Sequence, residues 1–385
     1  MKTIKIKKIV IYTLLCLPVI LQSCSKDDSP KEPDQTTEVL GCTDPDATNY
    51  NENATKNDDS CSYPPVAGCM DPLSVNYNAD AVEDDGSCLY NCTDSRADNF
   101  NEDAVMDDGS CTYSGSITKQ FTENPGEYTR KILLETFVGT WTGWSVDVPI
   151  RIEVMNNNYD DKIIVSNIYQ GSPGLENELF YEYMDDSFDV KGFPAGLVNR
   201  RASITSQDYA MSRSEWEDNV VEQLDEVINT GLALSALINE NDELEIFVEV
   251  GFSANEEGVA LHVQLLENGM IVPQYNYYSY EYGDDFEGHP FYNEKNLIND
   301  YEHNNVIREA LTPFEGQQIP NDVIAEQGRF QRMFKVSDLS NYNKDNLKII
   351  AFVAKNGEPV NQKYALNAQQ LSINGDGTLA VQDYD

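Results

Sequence analysis

Three stretches of this chain align without a gap, and each begins and ends on a cysteine. Cys42 and Cys61, Cys69 and Cys88, and Cys92 and Cys111 are each 19 positions apart. Between them Asn49-Tyr50-Asn51 falls on Asn76-Tyr77-Asn78 and Asn99-Phe100-Asn101, and Ala54 on Ala81 and Ala104. Copies in such register are an internal repeat, so residues 42–113 fold as three small units. Each copy holds one Tyr or Phe and few other apolar groups, too little for a core. A disulfide supplies what the core cannot. Closing a loop of about 20 residues stabilises a unit by roughly 3 kcal/mol. The even spacing favours one bond inside each copy, although six cysteines leave other pairings formally open.

The polar side chains of the copies permit two readings. Asp44, Asn49, Asn51 and Asp58 in the first, Asp71, Asn76, Asn78, Asp84 and Asp85 in the second, and Asp94, Asn99, Asn101, Asp107 and Asp108 in the third offer the oxygens that calcium prefers. The same residue types also make local turns and caps through their own backbone. No EF-hand pattern occurs. Zinc is disfavoured by the wide cysteine spacing and the absence of a nearby His.

The N-terminus explains why cysteines pair here. Lys2, Lys5, Lys7 and Lys8 precede an apolar run from Ile9 to Ile20, which fits a secretory leader over residues 1–23 and is short for a membrane span. Leu21-Gln22-Ser23-Cys24 resembles the lipobox of bacterial lipoproteins, which implies acylation, such as palmitate, at Cys24 and anchoring through lipid. Ser25-Lys26-Asp27-Asp28 resembles the acidic tag that sends some Gram-negative lipoproteins to the cell surface. Residues 24–41 then read as the lipidated cysteine and a flexible acidic tether. An exported compartment is oxidising.

Charge narrows the partners. The chain carries 26 Lys+Arg against 66 Asp+Glu, a net charge of −40. Nucleic acid needs clustered cations and is excluded, and direct docking on anionic lipid is disfavoured. The membrane is reached through the lipid alone, and the remaining partners are an outer-membrane protein or a glycan.

The repeats resemble the Cys-Thr-Asp-Pro…Asn-Tyr…Asp-Asp-Gly-Ser-Cys modules found in tandem in secreted proteins of Gram-negative bacteria. That resemblance implies a stalk or spacer.

From about residue 128 the texture becomes globular. Lys131–Phe137 and Lys162–Tyr169 are strand candidates, with an amphipathic stretch to about Asn157 between them. Glu176–Phe188 and Ser214–Asn229 are helix candidates, the second with Ser214 and Glu217 placed as a capping box. Leu133-Leu134-Glu135-Thr136-Phe137 followed by Gly139-Thr140-Trp141-Thr142-Gly143-Trp144-Ser145 resembles the thioredoxin-like part of the Omp28-related outer-membrane protein family. Members commonly carry Trp-Cys-Gly-Tyr/Trp-Cys there, and Gly192-Phe193-Pro194 matches the cis-proline of that fold. The resemblance spans roughly residues 128–378.

In this chain both expected cysteines are hydroxyls, Thr142 and Ser145, and no cysteine follows Cys111. Thiol–disulfide exchange needs a thiolate and a second sulfur. Thioredoxin-type chemistry is therefore excluded from residues 113–385. What the resemblance leaves is a cleft at a helix N-terminus, framed by Trp141, Trp144 and Pro194, or a turn kept only because it folds. His262, His289 and His303 lie far apart in sequence and form no metal or nucleophile motif.

Residues 231–382 read as strands, at 232–238, 243–250, 259–266, 330–336, 347–355 and 364–373. Such spacing suggests an antiparallel sandwich. Between them, 267–329 is a long connection expected to cross the end of that sandwich. It holds Tyr275, Tyr277, Tyr278, Tyr280 and Tyr282, then Asp284, Asp285, Phe286 and Glu287. Tyrosines of this density suit protein or carbohydrate contact, or pack beneath a loop.

The expected fold is thus small disulfide-rich repeats, an α/β thioredoxin-like domain over 128–230 and an antiparallel β-sandwich over 231–382. The expected protein is a lipid-anchored, surface-exposed outer-membrane module that binds without catalysis. A redox accessory or unrecognised enzyme, and a calcium-stabilised spacer, are the competing classes.

Overall fold

The structure is a computed structural model. It describes residues 38–384, apart from 71–73, 75, 89–90, 105–106, 116, 120, 123, 322 and 326. The leader, the expected lipidation site Cys24 and the candidate ligand Asp71 lie outside the described residues. Those described fall into two compact units, one ending at Pro65 and one starting at Val66.

The first unit holds one repeat. Cys42 is bonded to Cys61, and Leu40–Gly41 pairs in parallel with Lys56–Asn57. Among its described residues only Cys42 and Ala47 are buried, so the disulfide is most of their interior. The second unit contains the other two copies, closed by Cys69–Cys88 and Cys92–Cys111, and everything after them.

After residue 128 the chain builds two large sheets and two two-stranded pairs, Met270–Ile271 with Glu302–His303 and Gln274–Tyr275 with Leu297–Ile298. Strand β1 (Ile132–Val138), helix α1 (Asp147–Asn158) and strand β2 (Ile163–Tyr169) form a parallel crossover. Helix α2 (Glu178–Phe188) leads to β3 (Ala195–Val198), which runs antiparallel to β1. Strand β4 (Met211–Ser212) and helix α3 (Trp216–Leu224) complete this half. Every residue of β1 and β2 is buried, because α1 and α3 cover one face and α2 the other.

The longer strands that follow are β5 (Thr230–Ile238), β6 (Leu244–Phe252), β7 (Val259–Glu267), β8 (Val306–Ala310), β9 (Arg329–Val336), β10 (Leu347–Lys355) and β11 (Ala365–Ser372), with the short β12 (Ala380–Gln382) at the end. They do not form a structure apart from the first half. Strand β8 pairs with β7 and also, in parallel, with β2, through Val306 opposite Asn167. One mixed sheet of nine strands therefore runs β11-β10-β7-β8-β2-β1-β3-β4, with Gln317–Gln318 added beside β7. A second, antiparallel sheet runs β9-β6-β5-β12.

The largest core lies between the two sheets. Leu244, Ile246, Val248 and Val250 of β6 alternate inward and meet Leu261, Val263 and Leu265 of β7. The opposite positions of β6 would face water in a free antiparallel sheet. Here they are covered. Phe247 stacks on Phe121 and takes the edge of Tyr113 at 5.6 Å. Glu249 is held by Arg329 at 2.5 Å and by Gln331 and Tyr384. The third disulfide unit sits on this face as well. Arg332 of β9 donates to Asp107, to Cys111 Sγ (3.4 Å) and to Thr93 Oγ1 (3.4 Å). This copy is thus part of the globular body.

Local sequence signals fail at α3. The helix starts at Trp216 with Glu215 as its N-cap residue, and no side chain caps it. Glu217 bonds the Tyr159 hydroxyl at 2.9 Å instead of closing a capping box with Ser214. The helix also stops at Leu224, five residues short of Asn229, and Val227 is 93% exposed. Helix α2 begins two residues later than Glu176, where the Asn177 side chain accepts from Phe180 N–H at 3.2 Å.

Candidate functional site

The turn from Gly139 to Val146 joins β1 to α1, where the resemblance placed a redox motif. Its backbone is wound tight: Thr142 N–H donates to Gly139 C=O at 3.3 Å and Ser145 N–H to Thr142 C=O at 3.2 Å. Gly139 N–H donates to Ser145 Oγ at 3.3 Å. Thr142 and Ser145 are 4% and 6% exposed.

What buries them is the long connection expected to cross the end of the sandwich. It instead lies over this turn. Gln274 is 1% exposed, and its Nε2 faces the carbonyls of Gly139, Thr140, Thr142 and Tyr275 at 2.8–3.5 Å. Tyr275 N–H donates to Thr140 C=O (3.0 Å) and Tyr277 N–H to Gly143 C=O (3.2 Å). The approach is so close that a Cβ on Gly143 would stand 2.3 Å from Tyr277 N. The expected cleft over the hydroxyl pair is thus closed by the chain's own backbone.

The two tryptophans part company. Trp144 goes under the roof, with the edges of Tyr277, Tyr278 and Phe286 within 5.4–5.8 Å and the Arg213 guanidinium over its ring. Trp141 stays 45% exposed. Its indole donates to Gln170 C=O at 2.9 Å and leans on Phe193 at 5.3 Å, beside the cis Phe193–Pro194 bond and the buried Pro194. Tyr275, next to Thr140, is also 45% exposed. Trp141, Phe193 and Tyr275 therefore present an aromatic surface beside the closed turn.

An ionic cluster around the buried Asp147 ties the roof to α1. Asp147 accepts from Arg151 (2.5 Å) and Arg213 (2.9 Å), and His289 lies 3.4 Å away. Burial opposes ionisation of Asp147, but the hydrogen bonds and charges of the two arginines prevail and hold its pKa below the usual range. Arg213 also donates to the Tyr278 hydroxyl at 3.0 Å, and Tyr278 stacks on His289 at 3.7 Å. Only Asp147 and Arg151 are joined by a local spacing, four apart on α1; Arg213 and the roof residues Tyr278 and His289 come from elsewhere in the chain.

The other histidines have structural settings. His303 Nδ1 meets the Tyr169 hydroxyl at 2.9 Å and Nε2 the Val272 carbonyl at 3.0 Å. Burial lowers its pKa, against that carbonyl bond. His262 stacks on Phe352, and burial together with Arg200 pushes its pKa well down.

In the repeats, the candidate calcium ligands make turns. Asn49, Asn76 and Asn99 donate to the carbonyls of Ser60, Ser87 and Ser110 at 2.6–2.7 Å. Asn51, Asn78 and Asn101 accept from the amide two residues on. Asp58, Asp85 and Asp108 accept from Ser60, Ser87 and Ser110 N–H in the same way. Asp84 and Asp107 accept from Gly86 and Gly109 N–H. Asp44 and Asp94 accept from the tyrosine after the second cysteine, Tyr63 or Tyr113. Among the described residues one close group of metal-ligating residue types occurs, Cys92, Asp107 and Cys111, and its sulfurs are joined to each other.

Fold and site together define a mixed α/β protein whose central sheet carries a closed, thiol-free turn, preceded by disulfide-bonded units. The Omp28 outer membrane protein family model matches residues 181–376, just over half of the chain, and the chain belongs to that family. The family name implies association with the outer membrane. Among the described residues no helix is long and apolar enough to cross a membrane. Among solved structures the chain is similar to HBP35 of Porphyromonas gingivalis, at 16% identity and a TM-score of 0.51, over 64% of this chain and 76% of that one. At that identity the likeness is one of fold. A protein of Agrobacterium tumefaciens aligns with a TM-score of 0.38 and 12% identity, over 65% of this chain and 96% of that one. Among curated proteins none matches.

Proposed function

We propose that this protein is a non-catalytic binding module of the outer membrane, held by lipid on Cys24 and displayed at the cell surface. The observation that carries the reading is the roofed turn. A thioredoxin-like scaffold works by exposing a thiolate to its substrate. Here Thr142 and Ser145 supply hydroxyls, and the segment from Gln274 to Tyr278 bonds across them. What such a scaffold retains beside its cis-proline is a contact surface, and Trp141, Phe193 and Tyr275 furnish one. Exposed aromatic rings give large contact area at low entropic cost. The occupant that fits best is a segment of an outer-membrane protein, with a glycan as the other outcome.

Two of the three disulfide units then act as spacers, while the third is built into the head. The partner is sought by capture from solubilised outer membranes, comparing the native chain with Trp141→Ala/Tyr275→Ala. A protein retained by the first and lost by the second supports the reading. Retention that survives periodate but not protease separates protein from glycan. Turnover in an insulin-reduction assay by the purified chain would sink the non-catalytic assignment.

A further inference from the structure

A cavity of about 210 Å³ lies in the same half of the molecule; Trp141, Phe193 and Tyr275 do not line it, and its reading is independent of the one above. Val138 and Tyr169, the last residues of the parallel strands β1 and β2, reach its wall. Ligands of open α/β sheets bind at this end of the strands. Helix α1 forms one side and residues 301–305 the other.

Its polar groups are specific. Gln274 Nε2 is committed to backbone carbonyls, which fixes the amide orientation and leaves Oε1 as the other atom. That oxygen has no hydrogen-bond partner among the described residues, although Gln274 is 1% exposed and lines the cavity. It is not among the fully enclosed atoms that lack a partner, so it is reached from the cavity, where a donor can meet it. Ser145 also lines the cavity, at 6% exposure. Its Oγ accepts from Gly139 N–H, and its own proton has no acceptor among the described residues. The hydroxyl that replaces a sulfur is thus free to donate into this space.

The electrostatics have one sign. Glu153 and Glu302 line the cavity, and no Lys or Arg does. His303 has both ring nitrogens engaged, and burial disfavours its charged form. The Tyr301 ring lies 4.8 Å from that of His303 and adds an aromatic wall, which favours a cation further. The carboxylates do not form a close cluster with other metal-ligating types, so a compact metal ion does not fit. The volume is below that usual for drug-sized ligands.

We infer that this cavity binds a small organic cation, a primary ammonium on a short chain that also carries a hydroxyl. The ammonium donates to Gln274 Oε1 and is balanced by Glu153 and Glu302, and the hydroxyl accepts from Ser145.

The test uses the lipid-free exported chain and calorimetric titration with three probes: ethanolamine, glycolate and Nα-acetyl-lysine amide. Ethanolamine is expected to bind and glycolate not. The lysine amide, which has an ammonium but no hydroxyl, is expected to bind more weakly than ethanolamine, and equal binding overturns the role given to Ser145. Glu153→Gln/Glu302→Gln, both exposed sites, is expected to weaken ethanolamine binding about tenfold with an unchanged melting temperature. The inference is overturned by glycolate binding as well as ethanolamine, by an unaffected double variant, or by no ethanolamine-induced shift of the Ser145 and Gln274 amide resonances at millimolar ligand.

Discussion

The Arg332 guanidinium, on the edge strand of the second sheet, donates to the Asp107 carboxylate 225 positions earlier in the chain. Both side chains are buried, at 11% and 6% exposure, in a protein whose surface is overwhelmingly acidic. Replacing Arg332 by Ala leaves Asp107 buried without its cation, so a loss on the order of 3 kcal/mol is expected. Amide protons of the third disulfide unit should then exchange faster, while those of β1 and β2 keep their protection. Hydrogen exchange read by mass spectrometry checks both.

Restoring sulfur should not restore chemistry. In Thr142→Cys/Ser145→Cys both new side chains replace groups that are 4% and 6% exposed beneath Gln274 and Tyr277. Alkylation at position 142, which does not line the cavity, is expected in the reduced folded chain to be slower than in urea by about tenfold or more, since reaction waits on local opening. Equal rates would show that the roof is open in solution.

Gly143 is required by the approach of Tyr277 rather than by its own backbone conformation. Gly143→Ala puts a Cβ against a backbone nitrogen and should cost about 2 kcal/mol or more in urea unfolding. Gly192→Ala meets nothing within 4 Å and is expected to stay within about half a kcal/mol of the native chain.

Lys348 on β10 gives a pH dependence with a defined sign. Burial pushes its ammonium from 10.5 down to about 8. Its partners are neutral amide oxygens, Asn305 Oδ1 and Gln370 Oε1. Between pH 8 and 10.5 the unfolded chain holds the extra proton, so stability rises with pH across that window, and below pH 8 the full deficit is present. The change is on the order of 3 kcal/mol. Urea unfolding at successive pH values, compared with Lys348→Met, isolates it as the difference in slope.

The apolar strands were legible because burial on both faces leaves a continuous run. Leu347–Lys355 coincides with its expected range, and Ile132–Val138 and Ile163–Tyr169 are displaced by one residue or less at each end. The cysteine-bounded copies were legible for a related reason, since their order is local. Whatever depends on distant segments was not. The Ser214 and Glu217 pattern is correct for a cap, but Tyr159 offers Glu217 a partner that local sequence does not display. The tyrosine-rich stretch allowed either surface contact or packing beneath a loop, and of its five tyrosines Tyr278 alone is buried, against Trp144. Gln274 gave no signal at all. One glutamine is unremarkable until four backbone carbonyls, three of them from the 139–142 turn, are seen around its amide.

The pairing of Val306 with Asn167 sets a condition on biosynthesis. Strand β2 is an edge until β8 arrives, 137 positions after Asn167 when counted to the Asn304 carbonyl that its side chain also binds. A chain emerging from its N-terminus must therefore carry a largely apolar strand with one edge unpaired until most of its length has appeared. Such a species is aggregation-prone. Export in an unfolded state, with folding deferred until the entire chain is released, removes that interval, and the sheet order makes this protein suited to that route.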